Sequence, residues 1–185
     1  QVTLLEREPA LTALARHNVA ANGFEARISV VEADLTNLPR DLTAIGLEPE
    51  SFSQVLANPP YHDTGSGTLA SDDLKATSHA MPTDALDDWM RFLTRMVRPG
   101  GRVVMVHKAD ALARILQSMN GRFGAIRILP VYPRSGDPAH RILISGIKGS
   151  RAPLSMLSGL VLHGAGNAFM PEADAILRHG AELQF

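Results

Sequence analysis

The run Asn58-Pro59-Pro60-Tyr61 follows directly on the apolar segment Phe52-Ser53-Gln54-Val55-Leu56-Ala57. An apolar strand that stops at two prolines holds its last groups on a rigid, extended backbone, because each proline fixes its own φ and biases the residue before it away from helix. The side chain of Asn58 offers an amide acceptor, and the Pro59 carbonyl precedes a residue that has no N–H to bond into a ladder. Tyr61 adds a flat ring for stacking. Together these groups suit a planar molecule bearing an exocyclic NH₂: two carbonyl acceptors for its two N–H bonds and an aromatic ring against its face. A proline-terminated edge strand followed by an ordinary turn is the plainer reading of the same residues.

The elements that must position this tetrapeptide can be read on either side of it. Val2 to Leu5 is a short apolar run ending at Glu6. Glu8-Pro9 then opens a helix, because proline is tolerated in a first turn. Leu11, Leu14, Ala15, Val19 and Ala20 continue it at helical spacing until Asn22-Gly23. Arg27 to Glu32 reads as a second strand closing at Ala33-Asp34. Residues 35 to 51 read as a loop with a short helical turn, and Phe52 to Ala57 as the third strand.

Beyond the tetrapeptide, residues 62 to 82 are rich in Gly, Ser, Thr, Asp and Ala with no sustained period, which predicts a mobile loop covering a substrate. Gly65-Ser66-Gly67 lacks the flanking strand and helix that a phosphate cradle needs. Asp84 to Val97 is amphipathic, with Leu86, Trp89, Met90, Leu93, Met96 and Val97 on one stripe, so Trp89 is expected in the core. Arg98-Pro99-Gly100-Gly101 reads as a turn, Val103 to Val106 as a buried strand and Asp110 to Met119 as a helix. Ala125 to Val131 and Arg141 to Ile147 read as an antiparallel pair with a long connection. The order predicts an α/β fold: a doubly wound, mostly parallel sheet ending in an antiparallel strand pair. A main domain over 1–149 and an extension over 150–185 are expected.

Composition narrows the classes. The chain has 185 residues, 45% hydrophobic and 20% charged, and no cysteine, which excludes disulfides, thiolate metal sites and a cysteine nucleophile. The seven histidines show no metal-ligand spacing, so no metal is expected. No apolar stretch approaches the roughly 20 residues that span a bilayer, and a cytoplasmic location is the default. The net charge of -1 hides an asymmetry: residues 91 to 151 hold 12 Lys and Arg against 2 Asp. Such density is the footprint expected for a phosphate-rich partner. Solvated arginines scattered around a fold would give the same count.

The strand and its NPPY resemble motif IV of class I S-adenosylmethionine-dependent methyltransferases that alkylate planar NH₂ groups, and the order of elements over about residues 1 to 150 is similar to that fold. The resemblance implies S-adenosylmethionine as cofactor, with Glu6 at its ribose hydroxyls, Asp34 at its adenine amine and Asn58 also in contact. It implies Asn58, Pro59, Pro60 and Tyr61 as catalytic residues. The Asn58 amide and the Pro59 carbonyl would accept the two protons of the target amine, Tyr61 would stack the base, and attack on the sulfonium methyl would proceed in line without a prior general base.

The segments Arg141-Ile142-Leu143-Ile144, Lys148-Gly149-Ser150-Arg151-Ala152-Pro153-Leu154 and Leu160-Val161-Leu162-His163 resemble the end of bacterial tRNA1(Val) adenine-N6 methyltransferases. That implies tRNA as partner, with Tyr61, Arg134, Lys148 and Arg151 as substrate contacts. In bare physical terms the tail is an extended strip carrying Lys148 and Arg151 toward phosphates, or an arm packed on the core through Pro153, Leu154 and Leu157. The family's first strand and its Gly-rich cofactor loop have no counterpart in the sequence, so further residues before Gln1 are expected. NPPY also occurs in glutamine and guanine-N2 methyltransferases, and a non-catalytic nucleic-acid-binding module of the same fold is the alternative from a different class.

Overall fold

The computed structural model describes residues 1–35, 37–59, 62–63, 80–81 and 85–185. These fall into two compact units, Gln1–Pro49 and Glu50–Phe185.

In the first unit β1 (Val2–Glu6) and β2 (Ile28–Glu32) pair in parallel, from Val2 opposite Ile28 to Glu6 opposite Glu32. The crossover is α1 (Pro9–Ala21), which places Pro9 in its first turn, where a missing N–H costs no hydrogen bond. The Glu8 carbonyl accepts the first helical bond from Thr12 N at 2.9 Å. Gly23, at φ +67°, lets the chain reverse after Asn22. Thr12 and Val19 are the buried residues of α1.

The second unit is a six-stranded sheet. Its strands are β3 (Phe52–Ala57), β6 (Val97–Lys108), β7 (Phe123–Arg134), β8 (Arg141–Lys148), β9 (Ser155–Met156) and β10 (Leu160–His163), in the order β10-β7-β8-β6-β3 with β9 also on β7. A minimal parallel pair, β4 (His62–Asp63) and β5 (Ala80–Met81), stands apart. β6 is parallel to β3, and β10 to β7, while β8 is antiparallel to both β6 and β7. It follows that β3, β6, β7 and β10 all point one way and share a carboxyl edge, and only β8 is reversed. The mixed parallel and antiparallel sheet expected from the order of elements is present. Among the described residues β1 is paired only with β2 and β3 only with β6, so each lies at an edge of its own sheet.

Helices α2 (Ala85–Met96) and α3 (Leu112–Met119) cover one face, where Met90, Leu93, Met105, Ile115 and Ile144 are each at most 2% exposed. Trp89 packs against this core, as its place on the apolar stripe requires. Helix α4 (Pro171–His179) belongs to a second cluster built on Leu129, Leu160 and Ala173.

Three boundaries differ from the sequence expectation. Arg98 to Gly101 is no turn between elements: β6 runs unbroken from Val97, and the residues are absorbed as a bulge where the register jumps from Phe52 opposite Val97 to Gln54 opposite Arg102. A Cβ on Gly101 would meet Val97 Cγ2 at 2.7 Å and Arg98 O at 2.9 Å, so the bulge requires glycine there. The helix expected from Asp110 begins as a 3₁₀ turn, Ala109–Ala111. Finally, the segment after Ser150 packs on the sheet as an arm and does not leave it as a free strip, since β9 and β10 add to the open edge of β7. Ala125 N donates to Ala152 O at 2.8 Å, and Gly124 allows the Ser150 carbonyl to approach. Leu157 is half-buried in the second core, while Leu154 stays exposed.

Candidate active site

Glu6 is the last residue of β1, half-buried at the carboxyl edge of the β1–β2 pair. Its Oε1 accepts from the backbone N–H groups of Arg7 at 2.7 Å and Glu8 at 2.8 Å. Two bonds from consecutive amides fix the carboxylate against the turn into α1, and both fall on the same oxygen. Asp34 lies two residues past the end of β2, half-buried, and its backbone carbonyl accepts from Asn37 N at 3.0 Å. Both acidic residues therefore sit at the ends of parallel strands, the edge at which ligands bind in open α/β sheets.

In the second unit Asn58 and Pro59 continue β3 past Ala57 at the sheet's carboxyl edge, with Asn58 exposed and Pro59 buried. The alternation is that of a strand, and it turns the Asn58 side chain outward while the proline ring anchors the chain. Pro60 and Tyr61, expected to complete the catalytic tetrapeptide, lie outside the described residues, as do most of the loop over 62 to 82 and Asp84 at the expected start of α2.

The structure separates the three cations expected to contact substrate. Arg134 ends β7 and is exposed on the carboxyl edge, the edge that carries Asn58. Its Nη2 donates to Asn167 Oδ1 at 3.3 Å and Gly166 O at 3.5 Å. Lys148 and Arg151 belong to the opposite edge, because Lys148 ends the reversed strand β8, opposite Phe123 at the start of β7. The Lys148 ammonium donates to Thr94 O at 2.7 Å, Val97 O at 2.9 Å and Glu50 Oε1 at 2.7 Å. An ammonium has three donors, and these contacts use all of them. Lys148 thus closes the carboxyl end of α2, with its ammonium bonded inside the fold. Arg151 is exposed in the segment crossing behind Gly124, far along the sheet from Asn58.

Other members of the basic stretch are also engaged internally. Arg91 pairs with Asp87 at 2.7 Å and Asp88 at 3.3 Å, and Arg122 reaches Asp87 at 3.2 Å and the Ser118 carbonyl. Lys108 on β6 and Arg141 on β8, which are direct register partners, and Arg134 on β7 end or start their strands at the carboxyl edge that also carries Asn58. Sequence reasoning counted these charges without being able to sort them by edge.

His107 was also missed. It is 5% exposed on β6, on the face that carries Val103 and Met105, next to the last residue of the strand adjoining Asn58-Pro59. Burial lowers its pKa below the usual imidazole value, a shift opposed in part by the Lys108 backbone. A single histidine inside an apolar strand was the available signal.

No family model matches the chain. A crystal structure of a predicted O-methyltransferase from Agrobacterium tumefaciens superimposes with a TM-score of 0.74 at 31% identity, covering 94% of this chain and 75% of that one. The chain belongs to the S-adenosylmethionine-dependent methyltransferases. Among curated proteins it is 29% identical over 158 residues to the tRNA1(Val) (adenine(37)-N6)-methyltransferase of Aeromonas salmonicida, covering 84% of this chain. The chain spans 61% of the length of that relative. A SAM-dependent O-methyltransferase from Thermotoga maritima shares the fold at a TM-score of 0.53 and 13% identity, over 82% of this chain and 51% of that one.

Glu6 is pre-oriented by two backbone donors, and a carboxylate is the natural acceptor for paired ribose hydroxyls. Among the described residues no helix is long and apolar enough to cross a membrane.

Proposed function

We propose that the protein transfers a methyl group from S-adenosylmethionine to the N6 amine of an adenine in tRNA. The observation that carries this reading is the Asn58-Pro59 pair at the carboxyl end of β3, exposed and buried in alternation, with a cation on each of the next three strands of that edge. When bound, the cofactor supplies an electrophilic methyl on a sulfonium. The protein's own part is positioning. Asn58 Oδ1 and the Pro59 carbonyl accept the two N–H bonds of the target amine, drawing its lone pair out of conjugation with the ring. Glu6, held through Oε1, keeps Oε2 for the ribose hydroxyls, Asp34 takes the cofactor's adenine amine, and the Tyr61 ring is the residue assigned to stack the target base.

The name of the Agrobacterium protein suggests oxygen as the acceptor instead. A hydroxyl has a single proton, so one of two converging carbonyls would be left without a donor, and its attack requires a general base that Asn and Pro cannot provide. Adenine N6 is preferred over glutamine or guanine N2 because the curated relative carries that activity in its name. This reading puts the protein in the cytoplasm with its tRNA.

The test is methyl transfer from labelled cofactor into separated tRNA, rRNA and protein fractions, followed by nucleoside analysis. Label recovered as N6-methyladenosine from tRNA is the expected result. Label confined to protein, or recovered as a 2′-O-methyl nucleoside, would overturn the assignment.

A further inference from the structure

We infer that the carboxyl edge of the six-stranded sheet is a track for single-stranded RNA that ends in a nucleotide pocket between β7 and β10. This deepens the proposed function and rests on it. The pocket has a volume of about 420 Å³ and is lined by Arg134, Ser135, Val161, His163 and Met170 among others. That volume is in the range of small-molecule clefts, roughly 300–1,000 Å³. Val161 and Met170 give it apolar walls, and the His163 ring is held in place by stacking on Phe169, with centroids 4.8 Å apart, and by Nδ1 against Asn167 O at 3.1 Å. The Arg134 guanidinium is part of the lining and is steadied through one nitrogen by the 166–167 loop, and its fork carries five N–H donors in all. A planar base on the apolar walls with its phosphate on Arg134 satisfies both halves of this lining.

The path between Asn58 and the pocket supplies the second argument. The strands in order are β3, β6, β8, β7 and β10. At the carboxyl edge β3 contributes Asn58, β6 Lys108, β8 Arg141, β7 Arg134 and β10 His163. Lys108 and Arg141 are direct register partners, which sets two cationic residues side by side between Asn58 and Arg134 along this edge. Adjacent strands are about 4.8 Å apart, so β7 and β10 stand roughly 14 and 19 Å from β3 along the edge. Nucleotides stacked at about 3.4 Å each would cover that span in roughly four to six residues. The arrangement therefore reads a base several nucleotides from the one that is methylated.

The test compares two single-stranded RNAs carrying the target adenine, one of about 3 nucleotides and one of about 10, chosen to fall short of the pocket and to reach it. Wild-type protein is expected to show kcat/KM at least tenfold higher on the longer RNA. Arg134→Ala should bring that ratio down toward one through KM, with Arg134→Lys recovering part of it. Ser135→Glu, which leaves the Arg134 contacts in place, should do the same by repelling the phosphate. Binding of the fluorescent longer RNA, measured without turnover, should lose about one from its log–log salt slope in Arg134→Ala. Equal kcat/KM on both RNAs in wild-type protein, or ratio and slope unchanged in both variants, would overturn the track. If neither RNA is methylated yet the slope still falls in Arg134→Ala, the track stands and the adenine-N6 activity does not. Methyl transfer to a protein fraction alone, lost in Arg134→Ala, would replace the RNA by a peptide in this pocket.

Discussion

Replacing Lys148 with Met separates a structural cation from a phosphate ligand. The variant keeps the aliphatic stem and removes only the ammonium, whose side chain is 16% exposed and bonded to Thr94 O, Val97 O and Glu50. A hydrogen bond from a charged donor contributes about 1.5–3 kcal/mol, and two carbonyls at the junction of α2 and β6 lose theirs together. The Glu50 bond adds little, because that carboxylate is 56% exposed and exposed ion pairs contribute about 0–1 kcal/mol. Allowing for water reaching part of the site, the expected loss is about 2–4 kcal/mol, a large share of the roughly 5–15 kcal/mol by which domains are stable. For a chain of this size that lowers Tm by about 4–16 °C. Glu50→Gln should cost under about 1 kcal/mol in the same melt. Thermal and urea unfolding measure the stabilities, and RNA affinity against salt measures the phosphate contact. A Lys148→Met protein that melts like wild type but loses about one from the salt slope would refute the structural role and support a phosphate contact.

Asn58→Ala should lower turnover about 10²-fold with the melt unchanged, since the exposed side chain supports no core; near-normal turnover would remove it from the site. Gly124→Ala drives a Cβ into the Ser150 carbonyl, a backbone group that cannot swing aside, so a loss of about 2 kcal/mol or more in urea unfolding is expected. A fully stable variant would mean the 150–152 segment does not lie behind β7. His107 has a lowered pKa in the fold, so the unfolded chain binds a proton more readily. Its contribution is present above the ordinary value of 6.5 and is lost as pH falls from there through the folded pKa. His107→Leu should flatten that acid-side decline in stability, and an unchanged profile would acquit the residue.

Local pattern was sufficient for most of the elements. Proline in the first turn of α1, glycine after its last, the stripe through Trp89 and Met90, and the paired apolar runs of β7 and β8 each express a preference that acts within a few residues. Asn58-Pro59 was legible for the same reason, as proline chemistry at a strand end is local. The bulge at Arg98 to Gly101 was not, because Pro-Gly-Gly has the composition of a turn and only pairing with β3 keeps it within a strand. Nor was the role of the tail, whose strands β9 and β10 are short and acquire their partners from β7, more than twenty residues earlier in the chain.

The charge count shows where the boundary between the two lies. Twelve cations between residues 91 and 151 are a property of the sequence. Which of them share a surface depends on strand direction, and direction follows from hydrogen-bond pairing between segments far apart in the chain. Because β8 runs against its neighbours, its first residue, Arg141, falls on the edge with Asn58 and Arg134, while its last, Lys148, falls on the opposite edge beneath α2. Residue types alone determined the chemistry available to this protein, and the reversal of one strand decided which cations stand beside it.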